Sequence, residues 1–315
     1  MEKSNKSLRN SFLLLMTAVI WGTSFVAQSA GMVYIGPFTF SVIRYILGGL
    51  VLIPVIIILR RKNPDSPDIK LSIKYGVGCG IILSTASNFQ QMAMLKASAG
   101  KAGFITALYI IMVPVIGIFL KKKTSPVIWV SVILAVAGLY FLCIGRGGDI
   151  TLDFSDIQLL ICAIIFSFHI LFIDKANEKG VDGVVMSSTQ FFVAAITSLI
   201  FVYPVDGCVY DMMPDITLVK AAFPALCYSG FMACGVAYTL QIIGQDGVNP
   251  TVASLIMSLE SVVSAISGVL ILHQFMKMDE VIGCIIMFLA IILAELPIEA
   301  LINKGTHGKR RKIKV

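Results

Sequence analysis

The segment SLIMSLESVVSAISG, Ser254 to Gly268, carries one charged residue, Glu260, within an apolar run that extends from Thr251 to Leu272. A run of this length crosses about 30 Å of hydrocarbon as one helix, because each residue adds about 1.5 Å. Glu260 lies about 15 Å beyond Pro250 on that helix, near the centre of a bilayer. Insertion scales assign a charged residue at that depth a cost of about 2.5–3.5 kcal/mol, so Glu260 is expected to face a cavity or a partner.

The composition is typical of an integral membrane protein. Of the 315 residues, 57% are hydrophobic and 14% are charged, and the mean hydropathy is +0.90, whereas soluble domains have about 25% charged residues. The net charge of +7 comes from short basic clusters between apolar runs and from the tail GKRRKIKV, so membrane topology explains it without nucleic acid. The cysteines show no CxxC or Cys/His spacing, and neither a metal nor a cofactor is expected.

Ten apolar runs are long enough to span a bilayer, which predicts an all-α integral membrane protein with ten transmembrane helices. Pro37 opens the second run, and Ser125–Pro126 and Asn249–Pro250 place a cap and a first-turn proline at the fifth and the ninth. The runs cover approximately residues 12–30, 37–59, 71–94, 102–120, 126–145, 155–173, 184–204, 218–242, 250–272 and 278–296.

The distribution of Lys and Arg predicts the orientation of these spans. Nineteen of the 25 lie in segments on the same side of the membrane as the N-terminus, five lie on the other side, and Arg44 lies within the second span. Segments that face the cytoplasm are enriched in Lys and Arg. We therefore expect a multi-pass protein of the cytoplasmic membrane with both termini in the cytoplasm.

The ten runs divide into two similar halves. Ala18 in LLMTAVIWG aligns with Ala163 in LICAIIFSF, and Tyr45 aligns with Phe191 at nearly the same offset. Because five is odd, the two copies of a five-span repeat enter the membrane from opposite sides, as in many secondary transporters. The sequence predicts two inverted repeats, residues 1–147 and 148–300, and a basic cytoplasmic tail, residues 301–315.

Four segments resemble the EamA-like family of the drug/metabolite transporter superfamily, in an order that covers essentially the whole chain. They are AVIWGTSFVAQ, GPFTFSVIRYILGGLVLIP, KAGFITALYIIMVPVIGIFL and YTLQIIGQDGVNPTVASLIMSLESV. The resemblance implies a small-metabolite transporter with a cavity lined mainly by the first, third, fourth, sixth, eighth and ninth spans. Ser261 and the pair His273–Gln274 replace the proline and the Gly-Glu pair that the family often has. The first half thus has a kink at Pro114 that its counterpart lacks, and we expect the halves to bend unequally.

Three ionisable residues within the spans are candidate site residues. Glu260 has a functional and a structural interpretation. In the functional one it binds a substrate ammonium or carries protons, and in the structural one it is a neutral or paired carboxyl that holds the ninth span against its neighbours. Arg44, about 10 Å from the outer end of its span, is either a clamp for a substrate carboxylate or, as the favoured alternative, an anchor to headgroups or backbone carbonyls. His169 is either a proton relay or, as favoured, an ordinary interfacial histidine.

Uncharged polar and aromatic residues complete the candidate pathway. In the third span, LSTASNFQQMAM places Ser84, Ser87, Asn88 and Gln91 on one helical face, so Asn88 and Gln91 are expected to line the pathway unless they only join helices. Trp21 is either an aromatic wall for the substrate or core packing. The other candidates, with helix packing as their alternative, are Thr106 and Tyr109 in the fourth span and Tyr238, Gln241 and Gln245 in the eighth.

The sequence contains no enzyme signature. A GxxxxGK[ST] phosphate loop, an HExxH pair and a nucleophile elbow are absent, and the longest predicted loop, Pro204 to Thr217, is too short for a catalytic domain.

We predict a secondary transporter of a small metabolite, such as an amino acid or a related amphiphile, that works by alternating access with export favoured. Its expected partners are that substrate and the bilayer, with a coupling proton and a second copy of the chain as further candidates. The alternative is a non-transporting scaffold or a lipid flippase, and a flippase should show a lateral opening with a basic headgroup pocket.

Overall fold

The computed structural model describes residues 2–63, 66–97, 99–122, 124–143, 153–272 and 278–295, and all regular secondary structure in these ranges is helical. The predicted repeat boundary near residue 147, the pair His273–Gln274 and the tail 301–315 lie outside them. The α-helices are α1 Glu2–Gly31, α2 Pro37–Lys62, α3 Ile69–Met94, α4 Ala99–Ala107, α5 Tyr109–Phe119, α6 Pro126–Cys143, α7 Phe154–Glu178, α8 Gly183–Phe201, α9 Ile216–Cys227, α10 Thr239–Gly244, α11 Pro250–Met257, α12 Glu260–Leu272 and α13 Met278–Glu295. Val202–Gly207 and Tyr228–Tyr238 are π-helical.

In the described ranges, these helices form ten segments that correspond to the ten predicted spans. By length and composition, seven can cross a membrane: Leu8–Gly31, Pro37–Lys62, Lys101–Phe119, Phe154–Glu178, Gly183–Gly207, Ile216–Gly244 and Pro250–Ser267. Two more, within α6 and α13, are shorter apolar helices. The tenth is α3, whose 26 residues include the polar run that lowers its hydropathy. The prediction of an all-α membrane fold is confirmed.

Local sequence signals start several helices at the predicted positions. Pro37 and Pro250 occupy the first turn of α2 and of α11, and the Asn249 side chain accepts a hydrogen bond from the Thr251 amide. α6 begins at Pro126, as expected from its fixed φ angle. These prolines lack an N–H that the first turn of a helix would leave unpaired in any case, so they begin helices without cost.

Packing partners occur in exchanged pairs, as an internal two-fold relation between the halves requires. α1 packs on α12 while α7 packs on α5, and α2 packs on the π-helical part of the eighth segment while α8 packs on α3. The fifth and the tenth segments, α6 and α13, pack on each other. Tyr45 and Phe191, which the sequence aligns, stack with ring centroids 6.1 Å apart where α2 meets α8.

The fourth segment of each half is interrupted near its middle. A turn at Leu108 separates α4 from α5, and a turn at Ser258 and Leu259 separates α11 from α12. The second half is therefore interrupted without a counterpart of Pro114, and the expectation that the two halves bend unequally stays a prediction. Serine provides the break, because the hydroxyls of Ser258 and Ser261 donate to the carbonyls of Leu255 (2.7 Å) and Ser258 (2.7 Å) and compete with the helical hydrogen bonds.

A buried aspartate from the second half caps a helix of the first. Asp206, in the π-helical extension of α8, accepts hydrogen bonds from the Phe38 amide (3.1 Å), the Thr39 amide (2.6 Å) and the Thr39 hydroxyl (2.7 Å). These amides belong to the first turn of α2, which has no side-chain cap of its own. A side chain at Gly36 would collide with the Asp206 carboxyl group. Asp206 therefore fixes the end of α2 that precedes Arg44.

Candidate functional site

A cavity lies between the two interrupted segments. The first, third, fourth, sixth, eighth and ninth segments line it, and the second segment adds Arg44. Its water-accessible volume is about 40 Å³, which is room for about three water molecules. A metabolite needs more space than this conformation offers, so its passage requires the surrounding helices to move apart.

Glu260 and Tyr109 meet in this cavity because each is the first residue after a helix break. Glu260 begins α12 and Tyr109 begins α5, and the Tyr109 hydroxyl donates a hydrogen bond of 3.1 Å to Glu260 Oε1. Both side chains are buried. The N-terminus of a helix favours negative charge, because its first amides and its macrodipole point toward the carboxyl group. A hydroxyl and a helix terminus thus accommodate Glu260 near the middle of its span without a counter-ion.

The close crossing of α1 and α12 requires glycine at position 22. A Cβ atom there would lie 2.6 Å from the Glu260 carbonyl oxygen and 2.6 Å from the Cβ atom of Val263. Such distances are well below van der Waals contact, so a side chain would force the helices apart. Gly22 therefore determines how near α1 approaches the break that carries Glu260.

Arg44 is held inside the bundle by polar side chains. Its Nη1 donates to Gln28 Oε1 and its Nη2 donates to the Tyr45 hydroxyl at 3.1 Å. Gln91 also donates to Gln28 Oε1, and the Gln28 amide nitrogen is 3.2 Å from the carbonyl oxygen of Ser24. Only 5% of Arg44 is exposed. The favoured interpretation of Arg44 as a headgroup anchor is wrong, because the guanidinium is buried against Gln28 of α1 and the Tyr45 ring and does not lie at the lipid surface.

The cavity contains a cation and a carboxyl group that do not pair. Within the described residues, neither Arg44 nor Glu260 forms an ion pair, and Arg44 Nε has no hydrogen-bond partner. α1 contacts both groups at different points along its length, because Gly22 contacts the Glu260 backbone and Gln28 binds Arg44. Six residues of helix separate these two contacts by about 9 Å.

The polar face of α3 is buried, and its residues divide between two roles. Asn88 exchanges hydrogen bonds with Ser198 of α8 (2.9 and 3.2 Å) and does not line the cavity. Gln91 lies behind the cavity, bonded to Gln28. Gln90, which the helical-face argument omitted, lines the cavity and donates to the Thr106 hydroxyl at 3.1 Å. In this conformation, Asn88 joins helices and Gln90 faces the central space.

His169 lies deeper than the sequence suggested. α7 continues to Glu178, five residues beyond the predicted end at 173, so His169 is fully buried and the interpretation as an interfacial histidine is wrong. Its Nε2 lies 3.2 Å from Gln190 Oε1, and its Nδ1 has no partner among the residues that the structure describes. The imidazole lies beside Tyr238, with ring centroids 6.0 Å apart, but not among the lining residues.

The aromatic candidates form one wall of the cavity. Trp21 and Tyr238 both line it, with ring centroids 4.6 Å apart, and Trp21 Nε1 donates to the carbonyl of Ala233 at 3.3 Å. Gln241 also lines the cavity, and its buried Oε1 has no partner in the described part of the chain. Gln245, one turn further along, is buried away from the lining residues, and neither polar atom of its side-chain amide has a partner there.

Three cavity residues on α1 were missed by the sequence reasoning. Ser24, Phe25 and Gln28 line the cavity together with Trp21. The four positions are spaced by three, one and three residues, which places them on one helical face. This spacing was visible in AVIWGTSFVAQ and would have identified the face of α1 that carries the site.

Ion pairs tie the fourth segment to α7 at both of its ends. Lys101 of α4 contacts Asp156 at 2.7 Å, and Lys122, just after α5, contacts Asp174 at 2.6 Å and Glu178 at 2.5 Å. Although burial lowers the pKa of Lys122, its hydrogen bonds to the two carboxylates outweigh this and raise the pKa above its usual value. Lys122 therefore stays charged at physiological pH, and ion pairs join the fourth segment to α7 near both of its ends.

A bundle of two related helical halves around a central cavity that contains Arg44 and Glu260 is the architecture of a membrane transporter and not of an enzyme. The chain belongs to the EamA-like transporter family, whose profile matches residues 9–144 and 153–296. The two matches confirm both the predicted family and the duplicated repeat.

Relatives in two other organisms are similar over nearly the whole chain. An uncharacterized transporter of Archaeoglobus fulgidus is 25% identical over 90% of this chain and 84% of its own length. The uncharacterized transporter YoaV of Bacillus subtilis is 22% identical over 89% of this chain and 94% of its own. A solved crystal structure with 18% sequence identity has a TM-score of 0.72 and covers 91% of this chain and 96% of that one, which supports the fold alone.

Proposed function

We propose that the protein is a secondary transporter of a small zwitterionic metabolite, an amino acid or a related amphiphile, and that it works by alternating access. The observation that carries the proposal is the pair of unlike groups, Arg44 and Glu260, which line one cavity without pairing to each other. An unpaired charge in a buried site is costly, so a ligand with the complementary charges would stabilise both groups.

Each end of the substrate has a matching group. The planar fork of the Arg44 guanidinium suits a carboxylate, and the Glu260 carboxylate suits an ammonium. The contacts of α1 with the two groups lie about 9 Å apart along the helix, and after the surrounding helices have moved apart a small zwitterion would reach both groups with a hydrogen bond of about 2.8 Å at each end. Trp21 and Tyr238 offer aromatic faces that attract an ammonium group or an apolar side chain.

Proton coupling and export follow from the chemistry of Glu260. A carboxyl group can accept either a proton or a substrate ammonium, so the two compete for one site. A proton that enters from outside would displace the substrate only when the cavity faces outward, which drives exchange of external protons for internal substrate. We propose this antiport as the coupling mechanism.

The proposed topology places both termini in the cytoplasm of a bacterial-type cell, with residues 1–147 and 148–300 as the two repeats. It is supported by the bias of Lys and Arg toward the segments on the N-terminal side. In intact cells, the exposed thiol of Cys208 should react with an impermeant reagent, whereas a cysteine at Lys122 in a cysteine-free background should not. Labelling at position 122 from outside would refute this orientation. A second copy of the chain is proposed as a partner, and the mass of the protein in detergent tests it.

Flux in proteoliposomes, with three forms of one amino acid, tests the function. The wild type should move the zwitterion faster than either its amide, which lacks the carboxylate, or its deaminated acid, which lacks the ammonium. Glu260→Gln should abolish pH-gradient-driven flux with little change in melting temperature, because it removes only the ability to change charge. Arg44→Gln should lose the preference for the zwitterion over its amide, because the group that binds the carboxylate is gone.

Arg61→Gln, at the exposed end of α2, is the matched control for Arg44 because it removes the same charge away from the cavity. It should leave the flux unchanged. Wild-type flux of Glu260→Gln from pH 5 to pH 8 would refute proton coupling through Glu260. A wild type that moves none of a panel of amino acids would refute the proposed substrate class.

A further inference from the structure

A second space lies on the outside of the bundle, between α1, α11 and α13. Its volume is about 690 Å³, and it is open toward the lipid-facing surface. Leu8, Phe12 and Leu15 of α1 line it on one side, and Ile256 of α11 and Ile291 of α13 line it on the other. Leu8 and Phe12 are 71% and 57% exposed. We call this space the lateral groove.

Arg9 places a positive charge at the shallow end of the lateral groove. Its Nε and Nη2 donate to Asn10 Oδ1 at 3.3 and 3.2 Å. A guanidinium has five N–H donors, so these two bonds leave the other donors available to a ligand. Among the described residues, Arg9 forms no ion pair. The groove thus combines an apolar wall with one oriented cation at its rim.

The depths of these residues match the layers of a bilayer. Arg9 is the second residue of the apolar span Leu8–Gly31, where headgroups begin. Leu15 is six residues further, or about 9 Å deeper on α1, within the hydrocarbon. Since the guanidinium lies at the level of phosphates and the apolar wall at the level of acyl chains, the groove has the polarity profile of a phospholipid.

We propose that the lateral groove binds one anionic phospholipid, with its phosphate on Arg9 and an acyl chain against Phe12, Leu15, Ile256 and Ile291. This site is separate from the transport cavity, because α11 stands between them: Ile256 faces the groove and its neighbour Met257 lines the cavity. The lipid is therefore a resident ligand and not a transported one.

A bound lipid would brace the start of the interrupted ninth segment. The Asn10 amide, whose oxygen accepts from Arg9, donates a hydrogen bond of 2.6 Å to the carbonyl of Asp246 in the turn that precedes α11. A lipid on Arg9 thus joins α1 to this turn through Asn10 and to α11 and α13 through its chain. We expect occupancy of the groove to stabilise the folded protein.

Binding is tested by titrating the purified full-length protein in neutral detergent with phosphatidylglycerol or with phosphatidylcholine of the same chain length. Native mass spectrometry counts the bound lipid, and the melting temperature reports its effect. The wild type should bind phosphatidylglycerol more tightly than phosphatidylcholine, and its melting temperature should be higher with phosphatidylglycerol than without added lipid. One basic residue contributes about 1 kcal/mol at an anionic surface, so Arg9→Gln should weaken this binding about fivefold.

Two controls separate the groove from general charge and from a simple anion site. Arg61→Gln removes an exposed arginine of the basic cluster at the end of α2 and should keep wild-type binding. Leu15→Trp should reduce binding by filling the groove without changing charge, provided that its melting temperature without lipid stays close to that of the wild type. Leu8→Trp at the exposed rim replaces it if that condition is not met. Glycerol phosphate, which has no acyl chain, should not raise the melting temperature.

Several outcomes would overturn the proposal. They are equal binding of phosphatidylcholine and phosphatidylglycerol, equal losses for Arg9→Gln and Arg61→Gln, and stabilisation by glycerol phosphate as large as that by the lipid. Movement of labelled phosphatidylglycerol between leaflets by the reconstituted protein would show a lipid transporter, so it would overturn the resident-lipid proposal.

Discussion

Replacement of Asp206 by alanine should destabilise the protein more than the loss of an ordinary helix cap. The carboxyl group is fully buried and accepts three hydrogen bonds, two from amides of the first turn of α2 and one from the Thr39 hydroxyl. Alanine would leave the donors without partners, and each unsatisfied buried donor costs about 1–3 kcal/mol.

The magnitude follows from the burial of this cap. Loss of an N-cap side chain costs about 0.5–2 kcal/mol, and the buried Thr39 hydroxyl adds a third lost bond. Partial relaxation of the donors offsets part of this, so we expect about 2–4 kcal/mol in total. In a chain of this size, 1 kcal/mol shifts the melting temperature by about 2 °C, which gives an expected decrease of about 4–8 °C.

Asp215 is the matched control for this measurement. It caps α9 from the exposed surface by accepting from the amide and the hydroxyl of Thr217, both at 2.7 Å. The Thr217 amide lowers the pKa of the Asp215 carboxyl, so this exposed cap is charged at neutral pH. Thermal unfolding in detergent should show a decrease of about 1–2 °C for Asp215→Ala. Equal shifts for the two variants would refute the idea that Asp206 joins the two halves.

Further predictions concern the helix crossing and the state of the cavity. Gly22→Ala should cost about 1–3 kcal/mol and reduce flux, whereas Gly103→Ala, whose Cβ would meet its nearest neighbour at 3.8 Å, should be tolerated in both assays. A cysteine at Gln90 should react with a water-soluble reagent and be protected by substrate, while one at Asn88 should not react; equal reaction at both would contradict their different placements. Lys122→Gln removes the ion pairs between the fourth segment and α7, so a cysteine at position 90 should be labelled faster from the N-terminal side of the membrane. An unchanged labelling rate would show that Lys122 does not help to close the cavity on that side.

The spans and the helix starts were predictable because they depend on local chemistry. Hydrocarbon thickness fixes the length of an apolar run, and Pro37, Pro126 and Pro250 begin helices through their own backbone geometry. The alignment of Tyr45 with Phe191 indicated a duplication, and these two rings meet in the fold. Such signals need no knowledge of which helices are neighbours.

Side-chain direction was less predictable, because it depends on residues far apart in the chain. The position of Arg44 along α2 gave its depth, but Gln28 of α1 and Tyr45 decide that the guanidinium lies inside the bundle. Asn88 was correctly assigned to a buried face, but that face meets Ser198 of α8 and not the cavity. α7 was predicted too short, because Asp174 looked like a loop residue until its ion pair with Lys122 was known.

The separation of Arg44 from Glu260 is the feature that stability alone does not explain. Two buried groups of opposite charge would lower their cost by contact, because a pair in a low-dielectric site attracts strongly. Here separate contacts hold them apart: Gln28 and Tyr45 bind the guanidinium, and Tyr109 and the start of α12 hold the carboxyl group. The break at Ser258 and Leu259 therefore does more than bend the ninth segment. It places Glu260 at the N-terminus of α12, whose amides stabilise the carboxyl group in the absence of a counter-ion. In the proposed transport cycle, both groups thus stay available to a ligand of complementary charges once the surrounding helices move apart.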